Sequence, residues 1–172
     1  KVNNSQGAKL NSTLFTNPIW AFQSDCRAGG INQIFAQGWF DNVIAVDPLN
    51  ENTVWVGGID LFRSDDGGAN WGLASFWHEP KTSARYVHAD QHVIVFHPQF
   101  NGSSNRTMFV GNDGGVFRTE NARAQTVTGN RAPCSPLSSK MTWASLNNGY
   151  EVTQFYHGAA FPNGTRYLGG AQ

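Results

Sequence analysis

The stretch Asp41–Pro48, DNVIAVDP, comes back twice along the chain, as QHVIVFHP at Gln91–Pro98 and as FYHGAAFP at Phe155–Pro162. Each is a short apolar run closed by a proline, which cannot donate to a ladder and so marks where a strand leaves its sheet. The segment after each proline recurs too. Residues 53–71 read TVWVGGIDLFRSDDGGANW, residues 106–122 read RTMFVGNDGGVFRTENA with TWASLN later at 142–147, and residues 165–172 read TRYLGGAQ. The common unit is a strand, a turn, a strand ending in Val-Gly or Leu-Gly, a tight turn, a strand ending in Phe-Arg, a polar turn and a Trp strand. Fifty residues separate Pro48 from Pro98 and 64 separate Pro98 from Pro162, the excess matching an inserted loop at 123–140. No window sustains the i, i+3, i+4, i+7 apolar spacing of a capped helix.

Four strands per repeat at this period predict an all-β chain forming part of a β-propeller, with four-stranded antiparallel blades. The boundaries are a lead-in at 1–34 that contributes at most an outer strand, a blade at 35–86, a second at 87–149 and the start of a third at 150–172. Sheets are expected near 41–77 and 91–147, with a third begun after Tyr150. About two and a half blades fall short of the four or so that a ring needs. The expected partners are therefore the remaining blades of a longer polypeptide, or other protein chains.

Lys+Arg 12 against Asp+Glu 12 leaves no basic field, which argues against nucleic acid and anionic membranes as partners. Charged residues are 14% of the chain, below the roughly 25% of ordinary domains. Glycine, Asn, Ser, Thr and aromatics replace them, a mixture suited to short strands and tight turns. Cys26 in DCRAGG and Cys134 in APCSPLSS fit one disulfide and an oxidising compartment, or two unpaired thiols. The polar start KVNNSQGAKLNS reads as a mature or internal terminus, and no apolar run predicts membrane insertion. Asn3, Asn11, Asn101, Asn105 and Asn163 each head an N-x-S/T triplet, a glycosylation acceptor in a suitable host.

Ser64-Asp65-Asp66-Gly67-Gly68-Ala69-Asn70-Trp71 fits the pattern S-x-D-x-G-x-x-W. Asp66 is suited to accept main-chain N–H groups within the turn, the glycines to positive φ, and Trp71 to packing back on its sheet. Ser64, Asp66, Gly68 and Trp71 are the structural positions of this box, and Thr119-Glu120-Asn121 with the distant Trp143 reads as a degenerate second copy. The pattern resembles the Asp box of bacterial-neuraminidase repeats. Over most of residues 35–172, stretches such as GWFDNVIAVDP, YVHADQHVIVFHP, VGNDGGVFRT and WASLNNGYEVTQFYHGAAFP look like secreted, glycosyl-hydrolase-like Asp-box proteins. They are more distantly similar to sortilin-type ectodomains and to xyloglucan-cleaving endoglucanases. The resemblance implies a propeller in a secreted, periplasmic or cell-surface protein, without fixing its reaction.

The densest set of chemical groups is His88-Ala89-Asp90-Gln91-His92. On one continuous strand, residues 88, 90 and 92 share a face. The aligned positions are Phe40 and Asn42 in the first repeat and Gln154 and Tyr156 in the third. The turn carrying Asp113, and that carrying Asp60, are expected at the same end of the sheets. One rim then collects Asp41, Asn42, His88, Asp90, His92, Asp113, Gln154 and Tyr156. Asp90 and Asp113 are the candidate acid/base pair for glycoside cleavage. His88, Asp90 and His92 are the candidate ligands of a structural divalent cation, the sole cofactor considered, although facing strand residues about 7 Å apart chelate poorly without a bend. Polar residues that only satisfy strand ends explain the same pattern. Trp39, Phe40, Trp77 and Tyr86 are candidates for stacking on sugars or for closing the core between repeats.

Arg63 and Arg118 end equivalent strands, and no arginine triad with a tyrosine nucleophile is recognisable, which argues against a sialidase. The leading expectation is a non-catalytic recognition or scaffold module for glycan or protein ligands. A polysaccharide-cleaving glycoside hydrolase and a sortilin-like peptide-binding propeller are the alternatives.

Overall fold

A computed structural model describes residues 39–69, 71–126, 140–149, 155–160, 162 and 164–171. The lead-in at 1–34, Cys26, Cys134 and Gln154 lie outside these. Among the described residues there is no helix. Strands β1 (Val43–Asp47), β2 (Asn50–Gly57), β3 (Leu61–Ser64) and β4 (Gly72–Leu73) form one antiparallel sheet in chain order. Strands β5 (Gln91–Phe96), β6 (Met108–Asn112), β7 (Gly115–Thr119) and β8 (Ala144–Ser145) form a second. β9 (Phe155–Ala160) and β10 (Tyr167–Ala171) pair as an antiparallel hairpin. The expected sheets near 41–77 and 91–147 and the third sheet after Tyr150 are present.

The register repeats with them. Val43, Val93 and His157 on the first strands pair with Gly57, Gly111 and Gly170 on the second. Trp55 faces Arg63 as Phe109 faces Arg118, and Arg63 faces Gly72 as Arg118 faces Ala144. Ahead of Val93 and of His157 the ladder slips in the same way, setting Gln91 against Asn112 and Phe155 against Ala171. A one-residue slip would reverse every side chain, so matching registers put matching positions on matching faces.

The two large sheets pack with unlike faces together. Val43, Ala45, Trp55 and Leu61 of the first meet Ile94, Met108, Val110 and Phe117 of the second in one apolar core. Each fully buried large side chain there contributes about 1.5–3 kcal/mol. Polar bonds tie the same seam. The Arg63 guanidinium donates to the Ala122 carbonyl at 2.7 Å, and the Trp143 indole N–H donates to the Ala74 carbonyl at 2.8 Å. Arg123 grips the buried Asp47 carboxylate through Nε and a terminal nitrogen at 2.7 and 2.8 Å. Such two-point contact is the strong form of an ion pair.

The Ser64–Trp71 turn hangs on its serine. Ser64 Oγ accepts from the N–H of Asp66 at 3.3 Å and of Gly68 at 2.8 Å, and donates to Asp66 Oδ1 at 2.8 Å. Gly67 and Gly68 take φ of 67° and 93°, as the sequence requires. Trp71 is buried and its indole N–H donates to Gly68 O at 3.0 Å. The degenerate copy keeps part of this chemistry, with the Asn121 N–H on Thr119 Oγ1 at 3.2 Å and Arg118 on Glu120 as Arg63 is on Asp65.

Candidate functional site

Asp41, Asp60, Asp90, His92 and Asp113 all lie at one end of the two sheets, where β1 and β5 begin and the β2–β3 and β6–β7 turns return. β5 starts only at Gln91, because Asp90 takes a φ of 65° and breaks the alternation. Asp is among the few L-residues that tolerate that region. The bend corrects the expectation that His88, Asp90 and His92 share a strand face. His88 Nδ1 lies 3.1 Å from its own Ala89 carbonyl, and its ring is packed so closely on Gly114 that a Cβ there would sit 2.3 Å from it. No three His, Cys, Asp or Glu residues converge on a metal position among the described residues. The expected cation ligands are not brought together.

Gln91 is the hub of this end. Its side-chain N–H₂ donates to the carbonyls of His88 at 2.6 Å and Ile59 at 3.2 Å, and its Oε1 accepts from Asn112 at 3.2 Å. Its main-chain N–H and that of Asp90 donate to Gly58 and Ile59. The start of the second sheet is thereby stitched to the β2–β3 turn of the first. The repeat alone offers no signal for this role, because the corresponding residues are Asp41 and Phe155.

Asp41 occupies in the first sheet the position of Gln91, and it is equally buried. No partner atom reaches either carboxylate oxygen. Burial, then the neighbouring charge of Asp90, push its pKa up from 3.8 to about 6; its own main-chain N–H and His92 pull the other way. Asp60 is raised further, to about 8, by complete burial, although Ser75 Oγ and the Trp77 N–H donate to its Oδ1 at 2.6 and 3.1 Å. Asp90 adds to that shift as well.

His92 and Asp113 meet directly, Nε2 to Oδ1 at 2.6 Å. The turn bearing Asp113 therefore does approach the rim. Asp113 pairs with His92, and the charge of Asp90 acts on both Asp41 and Asp60. The Phe40 ring meets His92 edge-on at 5.1 Å and Trp39 at 5.7 Å, making an aromatic row that ends on the His–Asp pair. Trp39 is 83% exposed. Asn42 is exposed beside them, and Tyr156 holds the corresponding register position in β9. Tyr86, by contrast, packs on Phe117 at the core margin, and its burial raises its pKa. Trp77 is half-buried. No helix among the described residues is long and apolar enough to cross a membrane. Compared with known proteins, the chain matches no family model, no curated sequence and no solved structure.

Proposed function

We propose that this chain is part of an extracellular Asp-box β-propeller and serves as a non-catalytic recognition module for glycans. Its ligand meets the rim of Asp90, His92 and Asp113. The observation that carries the reading is the exposed aromatic row Trp39–Phe40–His92 set against carboxylates. A sugar ring has apolar C–H faces and a hydroxyl edge, so a flat aromatic surface bordered by acceptors complements it. The equal registers of three successive repeats and the Ser64–Trp71 turn support the propeller assignment. Cleavage would need Asp90 and Asp113 free to act as acid and base, and Asp113 is instead held by His92 at 2.6 Å.

The test is a glycan panel and titration calorimetry on the wild type, Trp39→Ala, Asp90→Asn and Asp113→Asn. Asn tolerates positive φ, so Asp90→Asn keeps the backbone. Affinity should fall at least tenfold in each variant with no loss of melting temperature, and Asp90→Asn should raise it because the Asp90 charge adds to the upward shifts of Asp41 and Asp60. If the variants melt earlier and the parent binds no glycan, the rim is architecture only.

A further inference from the structure

Behind the rim the fold keeps negative charge that it does not match. Asp41 is 1% exposed, and no partner atom reaches either of its carboxylate oxygens. The charges of Asp90 and His92 both act on that carboxyl, so it stands near the two of them. His92 is also held by Asp113 at 2.6 Å, so a single imidazole is shared between two carboxylates. Asp60 in the β2–β3 turn is fully buried with its Oδ2 unpartnered. The Asp90 N–H donates to the Ile59 carbonyl at 3.1 Å and holds that turn alongside. Arg63, Arg85, Arg118 and Arg123 are committed elsewhere, to Asp65, Glu79, Glu120 and Asp47. Among the described residues no Lys or Arg is paired with Asp41 or Asp60.

We infer that the rim selects sugars carrying a free amino group, the ammonium of a glucosamine-type unit meeting Asp90 while its ring lies on Trp39 and Phe40. The inference deepens the glycan reading and rests on it. A positive group at the mouth supplies the charge that the fold leaves out, and a charge in a buried, less polar setting acts more strongly than one in open water. Asp90 is half-buried and so within reach of a ligand. Asp41 acts from beneath, through its charge alone. Trp39 is 83% exposed, and Phe40 precedes Asp41 in the chain, so the stacking surface and the acids lie side by side. An N-acetylated sugar offers the same ring and hydroxyls without the charge, and a uronic acid brings a further negative charge to the same place. A lysine side chain offers the ammonium but no flat face for the aromatic row, which favours a sugar over a basic peptide.

The experiment is titration calorimetry on the full chain, just above the Asp41 pKa of about 6. The probes are the glucosamine tetramer, its fully N-acetylated counterpart, tetragalacturonate and tetralysine. The glucosamine tetramer should bind about fivefold tighter than the acetylated form or better, and tetragalacturonate should bind weakest. Added salt should weaken the first and leave the second in place. Asp41→Asn keeps the shape and removes the buried charge, so it should cut the preference for the amino sugar about threefold. Asp90→Asn should abolish that preference. The inference is overturned if the acetylated sugar or the uronate binds as tightly as the amino sugar, an outcome that leaves the glycan reading standing. It is also overturned if tetralysine binds as tightly, because charge alone then suffices and the partner is a basic peptide. A preference that survives Asp41→Asn intact overturns the role of the buried charge. Binding of none of the three sugars refutes the glycan reading itself, and the inference with it.

Discussion

Replacing Asp41 by Asn should make the protein more stable at neutral pH, an unusual result for a buried polar residue. The carboxyl is buried, reached by no partner at either oxygen and set against Asp90, and its pKa rises from 3.8 to about 6. An acid whose pKa is raised on folding binds more protons in the native state than in the unfolded one between those two values. Stability therefore falls as pH climbs through that window. Roughly two pKa units at 1.36 kcal/mol each amount to about 3 kcal/mol, present below pH 4 and lost above pH 6. Asn has the same shape and no charge, so it escapes the loss. Urea unfolding of wild type and Asp41→Asn from pH 3.5 to 8 measures this directly, and the difference between the two cancels groups they share. The curves should agree near pH 3.5 and diverge to a gain of up to about 3 kcal/mol at pH 7. An Asn variant that is less stable at pH 7, or a difference that does not change with pH, would refute the assignment of Asp41 as an uncompensated carboxyl.

Gly57→Ala brings a Cβ to 2.6 Å from the Gln91 Cβ and 2.7 Å from Val43 Cγ1, whereas a Cβ at the register-equivalent Gly170 meets nothing within 4 Å. The first change should cost about 1–3 kcal/mol in urea unfolding, and the second should leave the midpoint in place. Ser64→Ala removes the acceptor for two N–H groups of its turn. It should cost about 1–2 kcal/mol, with faster exchange of the Gly68 amide.

The repeat is legible in the sequence because its signals are local. A proline closes each first strand, Val-Gly or Leu-Gly ends each second, and the Arg–acid step closes the third strand in both large sheets. Their spacing sets the register that the ladders reproduce. The same logic puts Asp113 at the rim, since a turn between adjacent antiparallel strands must return to the end where the first began. Legibility ends where one residue leaves the regular backbone. A strand pattern through 88–92 assumes extended φ throughout, and Asp90 at 65° ends it, delaying β5 to Gln91. The influence of Asp90 on Asp41 is equally hidden. It joins the starts of two strands nearly fifty residues apart, and depends on how the sheets lean together.

The two ends of the first sheet are treated differently, in a way that supports the proposed ligand rim. At the end of β1, the Asp47 carboxyl would be raised by burial, but Arg123 and the Leu49 N–H bring it below the usual carboxylate range. That charge is compensated and stabilises the seam above pH 4. At the other end Asp41 and Asp60 are both pushed up, Asp90 contributes to each shift, and no cation is paired with Asp41 or Asp60 among the described residues. Asp90 also sits at a positive φ. Replacing Asp41 by an uncharged residue of the same shape would relieve that end, as Gln91 does at the equivalent place in the second sheet. Destabilising acids retained at one end, with Asp47 compensated at the other, support the proposed ligand rim at that end. The Trp39–Phe40–His92 row lies there too, so the uncompensated acids and the aromatic row coincide on one rim.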